Sequence, residues 1–367
     1  MIGVLEVSYG FKKLRNVAEA NKIREFKSID IVSRLGVITP KRVHIKNYPI
    51  DTPISIFNAT LAVKGDNVVV YARIILGYYM YVSAIVKIEV PLDDLMTGVV
   101  STGHYPGELI LYPTMKYDIW GTEDPRASSI DGRLFMVYSG RTINYFNPVF
   151  RRERTLPVIA VDMGHDRWIK THVVVHPQHR RVHVISDKDA FITKINGEAY
   201  LFHRPHMDDE MFYLVISRLD REVLAPTGEE LLRETTCEDT TIILDPADFE
   251  TRLGWAGPLI EVKNNEYLVL IHGIDKYIEG YRVFAILLEY DKEEGFMLKA
   301  VTPCYIMEPR QTYEIFGDRP YVVFPCGAWR IDKDQLLVSY GAADYLVGFG
   351  TLSINEVLGV LDKGRLG

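Results

Sequence analysis

The segment Gly121-Thr122-Glu123-Asp124-Pro125-Arg126 sets two adjacent carboxylates ahead of a proline and an arginine. Proline fixes φ, so the pair is held on a rigid loop or strand start. One carboxylic acid can protonate a leaving oxygen while a second carboxylate activates water. Successive side chains of an extended segment point to opposite faces. Only one of Glu123 and Asp124 is therefore expected to face a given cavity, with the other holding Arg126 or nearby backbone. As a bare hexapeptide, this is more often a structural turn than a site.

A second set of side chains recurs at a fixed spacing. Arg73, Ser139, Arg204, His272 and Tyr340 each end an apolar run, at intervals of 66, 65, 68 and 68 residues. Side chains at equivalent depth in repeated strands are expected to line one central cavity, the usual place for a small ligand. Strand ends that merely met solvent would carry a random mix of Lys, Glu, Ser and Thr, which explains two arginines and a histidine less well.

The elements that position these groups are strands. Runs such as VVVYAR, LFMVYSG, YLVLIHG and YVVFP are rich in β-branched and aromatic residues and are bounded by Gly, Asn, Asp and Pro. Turn signals precede five of them: Gly65-Asp66-Asn67, Asp131-Gly132, Asn196-Gly197, Asn264-Asn265 and Asp332-Lys333-Asp334. Counted from the first polar turn residue (Asp66 in the first), their spacing is 65, 65, 68 and 68 residues, and such residues tolerate the positive φ of a hairpin turn. Five turn-and-strand units at one period predict a five-bladed β-propeller. The chain is expected to be all-β and a single domain over 1–367. Repeats run roughly over 50–352, with an N-terminal extension 1–49, a C-terminal tail 353–367 and short helices at Arg15 to Phe26 and Ile354 to Leu361.

Composition narrows the function classes. The 367 residues are 47% apolar and 25% charged, with a net charge of −7. That is globular, and no basic run offers a nucleic-acid face. Cys237, Cys304 and Cys326 have no CxxC spacing and fit reduced thiols. No stretch of 18 apolar residues occurs, and the first residues lack the order of a signal peptide. A soluble, cytoplasmic protein without membrane or nucleic-acid partners is expected.

The Gly-Thr-Glu-Asp-Pro-Arg segment resembles the signature of glycoside hydrolase family 130, the β-mannoside phosphorylases and related mannosidases. Other segments resemble the family in its order. These are Phe57-Asn58-Ala59 with the strand ending at Arg73, then Lys188-Asp189-Ala190-Phe191 with His203-Arg204-Pro205. Gly257-Pro258 with His272-Gly273-Ile274-Asp275 follows, and Tyr340-Gly341-Ala342-Ala343-Asp344 closes the series. The resemblance spans roughly residues 50–352. Departures are Ile192-Thr193 for Pro-Glu, Leu259 for the second proline of Gly-Pro-Pro, and Tyr345 for a frequent threonine. They bear on the acceptor sugar and linkage more than on the reaction class.

The resemblance implies a five-bladed propeller that cleaves a β-mannoside with inorganic phosphate to give α-mannose 1-phosphate with inversion. Its runner-up is the family's inverting β-mannosidase; a non-catalytic carbohydrate-binding propeller stands further off. Asp124 matches the proton donor, thought to relay its proton through a sugar hydroxyl. Lys188, Arg204 and His272 match the phosphate-binding set, a cationic cradle that hydrolytic members lose. Asn58, Arg73 and Asp344 match positions that hold the sugar, and Glu123 and Arg126 stand beside them as substrate-binding candidates. Phosphate is then a co-substrate, and no cofactor or metal is expected.

Remaining features take plainer readings. His172, His176, His179 and His183 invite a metal site, but Val173-Val174-Val175 and Pro177 argue for strand and loop. Asp208-Asp209-Glu210 reads as a solvated loop. Val17, Ala20 and Ile23 make one apolar stripe, expected to pack on a blade's outer face or, as we favour, on another subunit of a homo-oligomer.

Overall fold

The computed structural model describes residues 4–165, 167–228 and 232–367. Five antiparallel-cored sheets form the blades of a propeller. Each predicted turn is the hairpin that joins a blade's inner strand to its second strand. The inner strands are Ser55–Lys64 in blade I, Thr122–Ile130 in II and Val184–Ile195 in III. Blade IV begins with Glu250–Trp255, interrupted before Ile260–Lys263, and blade V with Val323–Arg330.

Apolar faces of neighbouring blades pack on each other, as half-buried sheets must. Phe191, Phe202 and Leu214 of blade III meet Trp255, Val269 and Phe284 of blade IV, and comparable clusters fill the other four gaps. The axis is therefore lined by inner strands whose ends are free to carry polar groups.

The N-terminal residues are not an extension outside the repeats. Ser33–Ile38 pairs antiparallel with Leu346–Ser353 as the outer strand of blade V, so both ends of the chain close one blade. Val43–Ile45 adds to the edge of blade I, and Lys12–Leu14 to that of blade III. Sequence reasoning missed this because the added strands precede the first repeat and carry no turn signal of the period.

Helices occupy Val17–Ile23 and Ile354–Leu361. The second is capped by Ser353, whose Oγ accepts from Glu356 N at 3.1 Å. Val17 and Ala20 are buried against blades III and IV of the same chain, with Ile23 packed beside them. The apolar stripe is thus covered internally, and the basis for reading it as a subunit contact is gone.

Candidate active site

Three inner strands carry the same irregularity. Phe57, Glu123 and Lys188 stand opposite Arg73, Ser139 and Arg204, and in each case three inner-strand steps match two on the partner. This is a β-bulge with one extra residue. The bulged residues Asn58, Asp124 and Asp189 all have positive φ, at 48°, 52° and 53°. Asn and Asp tolerate that region better than other side chains. The bulge breaks the strict alternation of the strand, so Glu123 and Asp124 both line the cavity. The expectation that only one could do so fails for this reason.

The cavity lies at one end of the axis and encloses ≈ 940 Å³. Asn58 Nδ2 donates to Asp124 Oδ1 at 2.7 Å, and an Arg73 amine donates to the same oxygen at 3.0 Å. Both donors converge on Oδ1. Asp344 completes this part of the wall. Burial pushes its carboxyl up to about 6, aided by the nearby Asp124 charge and opposed by Arg73.

Glu123 is tied into a cluster of cations rather than to Arg126. Lys188 Nζ donates to its Oε2 at 2.9 Å, Arg141 Nε lies 2.6 Å from Oε1, and Arg73 also pairs with Oε1. Burial alone would raise its pKa, but Arg73, Lys188 and Arg141 together hold it well below the usual carboxylate range. Glu123 is thereby an ionised anchor and not a proton donor. Burial lowers and Glu123 raises the Lys188 ammonium, with a net rise, so it stays charged.

Asp189 organises the opposite side. Its Oδ2 accepts from Arg204 Nε at 2.6 Å and its Oδ1 from Arg126 at 3.2 Å. Burial opposes its charge, yet Arg204 and Arg126 hold it well below its ordinary value. Arg204 reaches the cavity, and so do Arg252 and Arg319. Arg204 and Arg252 each sit 5.1 Å from the centre of the Phe212 ring, Arg252 donates to Tyr281 Oη at 3.4 Å, and Arg319 lies 4.6 Å over the Tyr281 ring. The three arginines form one continuous cationic wall. Among the described residues, neither Arg252 nor Arg319 has an ion-pair partner.

Two predicted contacts are not at the cavity. Arg126 is fully buried and braces the bulge: it donates to the Asp124 carbonyl at 3.1 Å, to Trp255 O at 3.0 Å and to Asp189. His272 is 1% exposed, with Nε2 3.5 Å from Asp189 Oδ2. Burial lowers its pKa, so the ring is neutral at pH 7 and supplies no charge to the wall. Gly254 stands opposite His272, and a Cβ there would overlap both His272 Nε2 and Asp189 Oδ2. The missing side chain lets the imidazole and carboxylate meet behind the wall.

The five repeated strand ends do not share one cavity either. Arg73 and Arg204 are long enough to pass the inner strand, while Ser139 is buried beneath it and Tyr340 donates to Glu314 at 2.7 Å. Residues overlooked from sequence are Asp189, Arg141, Arg252 and Arg319. Asp189 had a signal, since Asn58, Asp124 and Asp189 follow the period of the turns. Arg141 follows Ser139 by two and shares its face. Arg319 lies in a loop and had none.

His176 of the histidine run and His203 of the Arg204 strand both hydrogen-bond to Asp187 Oδ2, at 3.1 and 2.7 Å. His203 Nε2 also contacts Ser217 Oγ at 2.8 Å. The imidazoles are committed to a buried strut beside Lys188. Asp208 and Asp209 pair with His183 and Tyr213 on the exposed loop.

Comparison with known proteins follows the same lines. A family model described as beta-1,4-mannooligosaccharide phosphorylase matches residues 22–363. A beta-1,2-mannobiose phosphorylase of Thermoanaerobacter sp. (strain X514) is 26% identical over 248 residues, 68% of this chain and 72% of its own. A beta-1,4-mannooligosaccharide phosphorylase of Ruminococcus albus is 28% identical over 175 residues, 46% of this chain and 48% of its own. Among solved structures, beta-1,2-mannobiose phosphorylase from Listeria innocua superposes with a TM-score of 0.68 at 19% identity. The match covers 90% of this chain and 99% of that one, a likeness of fold.

Proposed function

The chain belongs to glycoside hydrolase family 130, and on that premise we propose that it cleaves a β-mannoside with inorganic phosphate and releases α-mannose 1-phosphate. The observation that carries this reading is the wall of Arg204, Arg252 and Arg319, two of which make no salt bridge within 4 Å among the described residues. Cations left unpaired in a cavity favour an anionic ligand, and guanidinium forks suit phosphate oxygens. Water as nucleophile would need a base in that place instead.

In the proposed reaction the mannosyl ring rests against Asn58, Arg73 and Asp344. A phosphate oxygen held by Lys188, Arg204 and Arg252 attacks the anomeric carbon from the face opposite the leaving oxygen. The C–O bond to the leaving sugar breaks as the new C–O–P link forms, which inverts the centre. The leaving oxygen takes a proton that originates on Asp124, relayed through a sugar hydroxyl. Glu123 stays ionised and fixes Arg73, Arg141 and Lys188 around the ring. Catalysis then rests on positioning and on cations that offset repulsion between phosphate and carboxylates.

The test is a panel of β-1,2-, β-1,3- and β-1,4-linked mannobioses, each with and without phosphate. Consumption of one or more substrates only with phosphate supports the reading. Equal consumption without phosphate identifies a hydrolase.

A further inference from the structure

The cationic wall holds one charge more than the proposed reaction uses. Lys188, Arg204 and Arg252 take the phosphate, and Arg319 is left over. Its side chain lines the cavity and makes no salt bridge within 4 Å among the described residues, although Asp318 and Asp344 line the cavity too. A cation held in place without a counter-ion favours an anionic ligand.

Arg319 is held in place twice over. It belongs to the loop that leads into Val323–Arg330 of blade V. Its guanidinium lies 4.6 Å over the ring of Tyr281, a residue 6% exposed, and its backbone N donates to Ala343 O at 3.1 Å. Two residues earlier, a Cβ on Gly317 would lie 2.5 Å from Ala343 O, so the missing side chain seats the loop against the turn that carries Asp344. Depth then decides what the charge meets. Asn58, Arg73, Asp124 and Arg204 are buried at the floor. Arg252 and Arg319 are half-buried, and Phe316, Gly317 and Asp318 beside Arg319 are exposed. The wall thus runs outward from Arg204 through Arg252 to Arg319. In the proposed reaction the transferred ring rests at the deep end, and the group it leaves lies toward the mouth.

We propose that Arg319 reads an acidic group on the leaving moiety, so that the β-mannoside cleaved here is joined to an anionic partner, a uronic acid or a sugar phosphate, rather than to a neutral sugar. A guanidinium fork takes two oxygens of a carboxylate or of a phosphate ester alike. Such a contact selects among partners without taking part in bond making. This inference rests on the phosphorolysis reading above and adds the charge of the leaving group to it. In the reverse direction the acceptor hydroxyl displaces phosphate from the anomeric carbon of mannose 1-phosphate, and its proton passes toward Asp124.

The experiment is reverse synthesis from α-mannose 1-phosphate, monitored by released phosphate, with acceptors that differ in charge at one end. These are glucose, glucuronic acid and glucose 6-phosphate, and the corresponding mannose series. The wild type should favour at least one acid over its neutral parent about tenfold or more in kcat/KM, the order of one charge-assisted contact. The carboxylate and phosphate arms tell which acid is read. In Arg319→Gln that ratio should fall to within about twofold of unity, and in Arg319→Lys it should stay above the glutamine variant's. A wild type with no preference for the acids overturns the proposal. So does an Arg319→Gln variant that loses equally on acid and neutral acceptors, since the guanidinium would then serve the transferred phosphate or the fold. If no acceptor releases phosphate, phosphorolysis itself has failed, and calorimetry of glucuronic acid and glucose 6-phosphate with both proteins decides. Weaker binding of either acid by Arg319→Gln supports the acid site, and equal affinity dismisses it.

Discussion

Asn58 Nδ2 donates to Asp124 Oδ1 at 2.7 Å, and the two residues hold equivalent bulges, both at positive φ, in successive blades. The repeat that builds the fold therefore also builds the carboxylate proposed as the acid, and its partner. Asp124→Asn retains the shape and loses the proton, so turnover in both phosphorolysis and reverse synthesis should fall about 10²–10⁴-fold. Activity retained by that variant on folded protein would place the acid elsewhere.

Glu123→Gln tests a different role. The carboxylate faces three cations from a site that is 1% exposed. Removing its charge should cost about 1.5–3 kcal/mol, read as a lower urea midpoint, because charge-assisted contacts are weakened together. Activity should drop with it through misplacement of Arg73 and Lys188. An unchanged midpoint would mean that the cluster adds nothing to stability.

For phosphate, the arginines and the histidine should separate. Arg204→Ala and Arg252→Ala should each raise the KM for phosphate about tenfold or more. His272→Gln should raise it less than about threefold, since the ring is buried, neutral and turned to Asp189. A His272 variant as impaired as Arg204→Ala would show that the imidazole reaches the anion.

These contrasts mark how far the sequence could be read. Turn residues at one period revealed five blades because hairpin turns need particular residues at particular places. The same register gave the depth of Arg73, Arg204 and His272 but not their direction. Direction depends on side-chain length, on the bulges and on Gly254, whose missing Cβ lets His272 sit behind the wall. Arg126 looked available because the bulge that turns its guanidinium inward leaves no mark in a hexapeptide. Arg252 and Arg319 emerge only once the blades are brought together around the axis.

Asp344 sets a pH dependence with a definite sign. Its carboxyl is pushed up to about 6 in the folded chain, from an ordinary value of 3.8. Between those values the native state holds more protons than the unfolded one, so this group's stabilising contribution is full below about 3.8 and is lost as pH rises through about 6. Asp344→Asn should remove that loss. Denaturation midpoints of variant and wild type should diverge between pH 4 and pH 7 in the variant's favour. A constant difference would place the Asp344 pKa near its ordinary value.

Arg24 anchors the N-terminal segment to blade IV. It makes two hydrogen bonds to Glu250, at 2.5 and 2.6 Å, and stacks 3.6 Å over Phe284. Arg24→Ala leaves the buried Glu250 without its cation, with only Tyr305 Oη and Ala247 N donating to it, and should destabilise the protein by about 3–5 kcal/mol. Since the segment also leads to the strand that closes blade V, the loss should appear as one cooperative transition in calorimetry. A separate early transition would mean that the segment melts independently of the ring.

The central claim is tested most directly by following a reactive β-mannooligosaccharide with phosphate by ³¹P and ¹H nuclear magnetic resonance. The account predicts growth of α-mannose 1-phosphate in step with loss of the glycosidic bond, and none of the reaction when phosphate is omitted. Free mannose released at the same rate in the absence of phosphate would contradict it.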